Sequence, residues 1–214
     1  PSVDDSRERR ILSADVWTQK DGKLLCEHVD ELEMICRYSR STELPKIMTF
    51  AVETAMRRSE ITGLQSANVN LDKRVALLPM TKNGSSRGVP LSSKAADILK
   101  NLAERDDGRC FRSRPDSITK AFANAIADAR NAYTEGLSLH LKHKKLSQDK
   151  IDKRIKADPF LIDLRFHDLR HEATSRLAEI FPLHELTKIT GHQDTRMLMR
   201  YYHPKTEDLA KKLT

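Results

Sequence analysis

The segment Phe166-His167-Asp168-Leu169-Arg170-His171 places two histidines and an arginine at the start of a predicted helix that runs from Asp168 to Ile180. Histidines four residues apart also suit zinc, but no HExxH motif or nearby cysteine supplies further ligands, so zinc is the less favoured interpretation. The segments predicted to follow are helices from His184 to Thr190 and from about Thr195 to Tyr202, and a C-terminal stretch from Thr206 to Leu213.

Upstream of this segment, hydrophobic patterning predicts a helix and a hairpin. From Leu44 onward the apolar residues recur at the i, i+3, i+4, i+7 spacing of a buried helix face, with Pro45 in the first turn. The runs Val75-Ala76-Leu77-Leu78 and Val89-Pro90-Leu91 are strand-like, and Asn83-Gly84 between them is a strong turn signal. The pattern predicts a mainly α fold with one small antiparallel β-sheet, which is an α+β class.

Two more helices are predicted between the hairpin and the basic segment that follows it. Ser92 or Ser93 is placed to cap the first, and Ser117 to cap the second. Between His140 and Lys156, seven Lys or Arg residues stand against two Asp, which predicts an exposed basic insertion around residues 140–157. A surface that faces DNA or a partner and a plain solvated helix are both open interpretations of it.

Residues 43–214 are predicted to form one domain, and residues 1–42 a linker and lead-in with a short helix around Val29 to Tyr38. The 38 Lys+Arg against 31 Asp+Glu give a net charge of +7, which favours a nucleic-acid partner. The three cysteines form no CxxC pair, so neither a disulfide framework nor a zinc ribbon is indicated. No apolar run reaches the roughly 20 residues that span a bilayer, and a soluble cytoplasmic protein is expected.

Four separated pieces carry polar residues in a fixed order: Thr54 to Ile61, Lys82, Phe166 to His171, and Gly191-His192 followed by Arg200-Tyr201-Tyr202-His203. Together they resemble the tyrosine recombinase family of the phage-integrase type. Its pattern is an Arg after a buried helix with Glu three residues on, a hairpin Lys, His-x-x-Arg, Gly-His, and a Tyr nine residues beyond that His; each element is met here. Each motif alone is weak, but all of them in this order are specific.

The resemblance implies the catalytic domain of a site-specific recombinase that cuts and rejoins DNA through a covalent 3′-phosphotyrosine, with no metal, cofactor or ATP. The implied catalytic residues are Arg57 and Arg170 as a phosphate clamp, Lys82 as general acid, His167 and His192 as the two histidines of the site, and Tyr201 as nucleophile. Guanidinium groups match the oxygens of a phosphodiester, and a phenol with a pKa of about 10 must lose its proton to attack.

Three of these assignments have alternatives. Arg57 taken alone is a surface arginine paired with Glu60 or Glu53, and Lys73 or Arg87 can replace Lys82 as the hairpin cation. The family spacing from His192 selects Tyr201 over its neighbour Tyr202, and His203 follows Tyr201 by the two residues that the family shows.

The sequence departs from the family pattern at two positions. Ala55 stands where the first motif has glycine, and alanine is the better helix former. Glu172 replaces a small polar residue and has no role that the sequence reveals.

The resemblance also implies partners. It implies binding to double-stranded DNA as a homo-tetramer, in which the tail from Thr206 to Thr214 docks on a neighbouring protomer; folding back on its own domain is the alternative. An N-terminal core-binding domain is expected to be missing from this fragment. The competing functions are a type IB topoisomerase and a catalytically inactive DNA-binding relative.

Overall fold

The structure, a computed structural model, describes residues 9–79, 86–192 and 194–202. Its helices are α1 (Glu31–Tyr38), α2 (Leu44–Thr54), α3 (Arg58–Thr62), α4 (Ser93–Lys100), α5 (Pro115–His143), α6 (Gln148–Ala157), α7 (Asp168–Ala178), α8 (Leu183–Thr190) and α9 (Arg196–Met199). Its strands are β1 (Ser13–Lys20), β2 (Lys23–Asp30), β3 (Val69–Asn70), β4 (Val75–Leu78) and β5 (Arg87–Pro90). None of the helices in these ranges is long and apolar enough to cross a membrane.

Helix α2 is the apolar centre of the domain, and the predicted stripe from Leu44 is confirmed. Seven of its eleven residues are buried, and its first turn contains the predicted proline. The helix packs against α4 and α7, and the ring of Phe50 lies 5.5 Å from that of Phe111. The helix ends at Thr54, where Ala55 takes a left-handed conformation, and the first arginine motif follows directly.

The predicted hairpin is also confirmed, and β3 adds a third antiparallel strand beside β4. Because the register pairs Leu78 with Arg87 and Ala76 with Val89, these four side chains share the buried face. An arginine is therefore turned into the protein. The turn signal Asn83-Gly84 and the proposed acid Lys82 lie outside the described residues.

The stretch predicted as a linker contains a β-hairpin that the sequence pattern did not reveal. Strands β1 and β2 pair over their whole length, from Ser13 opposite Asp30 to Lys20 opposite Lys23. The hairpin lies on α5, where Trp17 stacks on His140 with ring centroids 3.7 Å apart. Val16 and Val29 bury their side chains in the same core as α2, so this stretch packs as part of the folded body.

Helix α5 corrects the predicted cap at Ser117. The helix begins at Pro115, after Arg114 in extended conformation, because the fixed φ of proline suits the first helical position. The cap predicted at Ser92 is confirmed, since its side chain accepts a hydrogen bond from the Ala95 N–H at 3.1 Å. The basic segment consists of the end of α5 and helix α6, which is anchored by buried Ile151 while its lysines are exposed.

We predict that Gly136→Ala destabilises the fold. A Cβ at Gly136 would lie 1.9 Å from the Trp17 carbonyl oxygen, so the hairpin has to move away from α5. Helix propensity favours alanine by about 1 kcal/mol, but overpacking of this kind costs about 1–3 kcal/mol. Urea unfolding should therefore show lower stability, and hydrogen exchange should show weaker protection of β1.

The matched control is Gly88→Ala, whose added Cβ meets only Val75 Cγ1 at 3.5 Å, an ordinary contact. It should leave both measurements close to wild type. If Gly136→Ala is as stable as this control, the packing of the hairpin on α5 is wrong.

Candidate active site

Helix α7 carries the His-x-x-Arg motif through the middle of the protein. All residues from Asp168 to Ser175 are buried, although most of them are polar. Buried polar groups require partners, and the helix supplies several: Asp168 accepts from the Arg165 N–H at 2.8 Å, and Thr174 donates to the Arg170 carbonyl at 2.7 Å. The side chains of α7 are therefore held in fixed positions.

Arg170 joins the ends of two helices. Its Nη1 donates to the carbonyl of Ala55, just after α2, and its Nη2 donates to the carbonyl of Thr190, the last residue of α8, at 2.7 Å. Helix C-termini carry partial negative charge, so a cation between two of them is stabilised. The guanidinium has five N–H donors, and contacts with carbonyls do not by themselves exclude contacts with an anion.

Arg57 and the buried Arg87 share one carboxylate partner, Glu60. Glu60 accepts from Arg57 Nη1 at 3.0 Å and from both terminal nitrogens of Arg87 at 2.9 and 2.7 Å. Burial opposes ionisation of the carboxyl, yet the hydrogen bonds from Arg87 and from the Arg57 N–H keep the pKa of Glu60 below its ordinary value. The Arg57 side chain is 23% exposed against 7% for Arg87, so Arg57 can still contact a ligand from solvent.

Arg87 was an alternative to Lys82 in the sequence, and its contacts give it a structural position. Besides Glu60, it donates through Nε to the Ile189 carbonyl at 3.0 Å, near the end of α8. Gly191 follows in left-handed conformation at φ +68°, and a Cβ there would lie 2.9 Å from Arg87 Nη1. The glycine of the Gly-His motif is therefore needed both for the backbone turn and for the approach of Arg87.

His192 is held neutral by its surroundings. Burial, followed by the positive charges of Arg170, Arg57 and Arg200, lowers its pKa to about 3. Its Nδ1 forms a hydrogen bond of 2.7 Å with Thr190 Oγ1. The pKa of His192 in the folded protein lies below its unfolded value of about 6.5. His192 therefore lowers the free energy of unfolding as the pH falls from about 6.5 toward about 3. At neutral pH it is uncharged.

The Tyr201 hydroxyl contacts His171, a histidine to which the sequence assigned no catalytic role. It forms a hydrogen bond with Nδ1 of His171, and the two rings are 6.1 Å apart at their centroids. The Arg200 guanidinium carbon lies 5.0 Å from the Tyr201 ring centroid. His167, one helical turn before His171, meets it edge to face at 4.9 Å. The tyrosine, both α7 histidines and Arg200 thus form one cluster.

The structure brings together five of the six residues predicted from the sequence. The positive charges of Arg170 and Arg57 both act on His192. His167 and Tyr201 each contact His171. The sixth, Lys82, lies outside the described residues. The contact between His171 and Tyr201 was not predicted from the sequence. A sequence signal for this contact was present, since the i, i+4 spacing places His171 on the same helix face as His167, but that spacing was considered only for zinc.

In the described part of the chain, no group of three or more His, Cys, Asp or Glu residues is arranged to hold a metal ion.

The two departures from the family pattern now have structural explanations. Glu172 accepts from Arg10 Nε and from Arg176 Nε, each at 2.8 Å, and so ties the start of the described chain to α7. Ala55 was predicted to be a helical residue, but it lies just beyond the end of α2. It follows α2 in left-handed conformation at φ 52° and turns its carbonyl toward Arg170.

A domain of mixed α+β structure that presents arginines, histidines and a tyrosine in this arrangement has the fold of a tyrosine recombinase catalytic domain. The catalytic domain of bacteriophage HP1 integrase superimposes with a TM-score of 0.55 at 23% identity, over 85% of this chain and 88% of that one. The model of the phage integrase family matches residues 23–208. The chain belongs to this family.

Two relatives of the chain carry functional names. A shufflon-specific DNA recombinase of Escherichia coli is 34% identical over 100% of this chain and 44% of its own length. A putative integrase/recombinase of Haemophilus influenzae is 34% identical over 87% of this chain and 54% of its own. The chain therefore spans about half the length of these relatives.

We predict that Ala55→Gly stabilises the protein. A left-handed conformation costs a residue with a Cβ about 1–2 kcal/mol, and glycine avoids this cost. Part of the gain is offset because glycine loses more backbone entropy on folding than alanine does. The net gain in the free energy of unfolding should be about 1 kcal/mol, measured by urea denaturation. Ala51→Gly inside α2 is the control and should lose stability. A loss at both positions would mean that Ala55 is helical after all.

Proposed function

We propose that this chain is the part of a site-specific DNA recombinase that cuts and rejoins strands, with Tyr201 as the nucleophile that forms a 3′-phosphotyrosine. The observation that carries the proposal is the approach of the Tyr201 hydroxyl to the helix that holds Arg170. Membership of the phage integrase family and the names of the relatives support the same conclusion. The bound substrate in this proposal is double-stranded DNA.

Arg57 and Arg170 form the proposed phosphate clamp. Attack on a phosphodiester builds negative charge on its non-bridging oxygens, and positioned guanidinium groups stabilise that charge. Both arginines are held by protein contacts before substrate arrives, Arg57 by Glu60 and Arg170 by two carbonyls. Little reorganisation is then needed when DNA binds. His192, held neutral and oriented by Thr190, is proposed to lie beside the same phosphate.

In the proposed reaction, Tyr201 Oη forms a bond to phosphorus and the bond from phosphorus to the 5′-oxygen breaks. Lys82 supplies the proton that the leaving 5′-oxygen needs, and His167 or a neighbouring residue assists the loss of the phenolic proton from Tyr201. Since the phosphotyrosine preserves the phosphoester bond energy, a second 5′-hydroxyl can attack it and release Tyr201. Neither ATP nor a metal ion takes part in this scheme.

Recombination joins two DNA duplexes and therefore requires several protomers. We propose a homo-tetramer on DNA in which residues 206–214 dock on a neighbouring protomer. This tail lies outside the described residues, and its two leucines, Leu209 and Leu213, are too few to hold a helix in water without packing on another surface.

Tyr201→Phe should abolish the covalent adduct and leave DNA affinity close to wild type, because only the nucleophilic oxygen is removed. A nicked suicide substrate traps the adduct, which is then seen as a shifted band on a denaturing gel. DNA affinity is measured separately by fluorescence anisotropy.

The adjacent tyrosine provides the control. Tyr202→Phe should form the adduct as the wild type does. If Tyr202→Phe loses the adduct while Tyr201→Phe keeps it, the assigned nucleophile is wrong.

A further inference from the structure

We infer that His171 is the general base of strand cleavage, and that its Nδ1 takes the phenolic proton as Tyr201 Oη attacks the phosphate. The inference rests on the proposed function. Its basis is the hydrogen bond between Nδ1 of His171 and the Tyr201 hydroxyl. A general base must reach the proton that it removes directly or through one water molecule, and His171 reaches this one directly.

The position of His171 is fixed by the protein. The residue is only 4% exposed, lies within the buried stretch of α7, and packs edge to face against His167. Tyr201, two residues after the end of α9, packs on a small apolar cluster built from α7, α8 and α9. Two groups held on packed elements keep their mutual distance, and such preorganisation is what proton transfer in a catalytic step requires.

His192 is poorly suited to the same task. A pKa of about 3 makes its imidazole a weak base, and its Nδ1 is already engaged with Thr190. An efficient general base has a pKa near the working pH. The two histidines thus divide the work: His192 stays neutral beside the phosphate, and His171 exchanges a proton with the nucleophile.

The proton balance of the cleavage step is complete. The proton of Tyr201 Oη passes to His171 Nδ1, Oη bonds to phosphorus, and the leaving 5′-oxygen takes its proton from the general acid. In rejoining, the attacking 5′-hydroxyl returns its proton to that acid, and the imidazolium of His171 returns the other to Tyr201 as it leaves. For the transfer to begin, His171 must carry its own proton on Nε2.

The first test compares three proteins on a nicked suicide substrate: wild type, His171→Asn and His184→Asn. Asparagine keeps a hydrogen-bonding group beside Tyr201 but takes up no proton at working pH. We expect His171→Asn to bind DNA normally and to form the adduct about 10²-fold more slowly or worse. His184, whose side chain is 75% exposed on α8, is the matched histidine control and should cleave as the wild type does.

The second test separates proton transfer from support of the fold. Replacing Tyr201 with 3,5-difluorotyrosine gives a more acidic phenol that ionises without a base. We expect this substitution to raise the cleavage rate of His171→Asn at least about tenfold. The cleavage rate of the protein that retains His171 should not increase. A structural defect would not respond to the acidity of the phenol.

The outcomes distinguish this inference from the proposed function. A wild-type protein that forms no adduct overturns both. If the wild type forms the adduct and His171→Asn cleaves at the wild-type rate, only the role of His171 is overturned. The same holds if difluorotyrosine fails to raise the cleavage rate of His171→Asn. If His171→Asn and the longer His171→Gln both fail to bind DNA, ¹⁵N spectra of the wild-type histidines decide instead. A proton on Nε2 of His171 supports the inference, and a proton on Nδ1 overturns it.

Discussion

The candidate active site depends on one buried guanidinium that holds the ends of two helices. Arg170 donates to the carbonyl of Ala55 after α2 and to that of Thr190 at the end of α8. Since both ends are followed closely by residues of the candidate site, this contact sets where Arg57 and His192 lie. A buried arginine without these acceptors would cost several kcal/mol, so the fold and the proposed phosphate clamp depend on the same interaction.

Around Arg170, a second layer of charge holds the surrounding elements. Arg87 links β5 to Glu60 on α3 and to Ile189 on α8. Farther from the site, Glu31 is fully buried and accepts from the N–H groups of Leu12 and Leu161, at 2.9 and 2.6 Å. Glu172 on α7 holds the same stretch of chain through Arg10 and the Ile11 N–H. The segment that enters the domain is thus attached beside His171, the partner of Tyr201.

Sequence patterning could predict the elements whose burial follows a regular period. The stripe of α2 and the alternation of β4 and β5 are such cases, and the order of the polar motifs predicted most residues of the candidate site. Helix α7 could not be understood in this way, because its buried residues are mostly polar and only their tertiary partners explain their burial. The hairpin of β1 and β2 escaped for a related reason: few of its residues are buried, and it is held by Trp17 against Gly136 on α5, a contact distant in sequence. The conformation of Ala55 was likewise imposed by a distant residue, Arg170.

The central claim is that Tyr201 becomes joined to a DNA 3′-phosphate in a site that works through arginine and histidine. Mass spectrometry of the adduct, formed in EDTA and digested with nuclease and trypsin, tests it most directly. Cleavage after Arg200 and Lys205 gives a short peptide that contains both tyrosines, and fragmentation locates the nucleotide remnant. The account predicts the remnant on Tyr201, in the same yield with and without EDTA. A remnant on Tyr202, or an adduct that forms only when Mg²⁺ or Zn²⁺ is added, would contradict it.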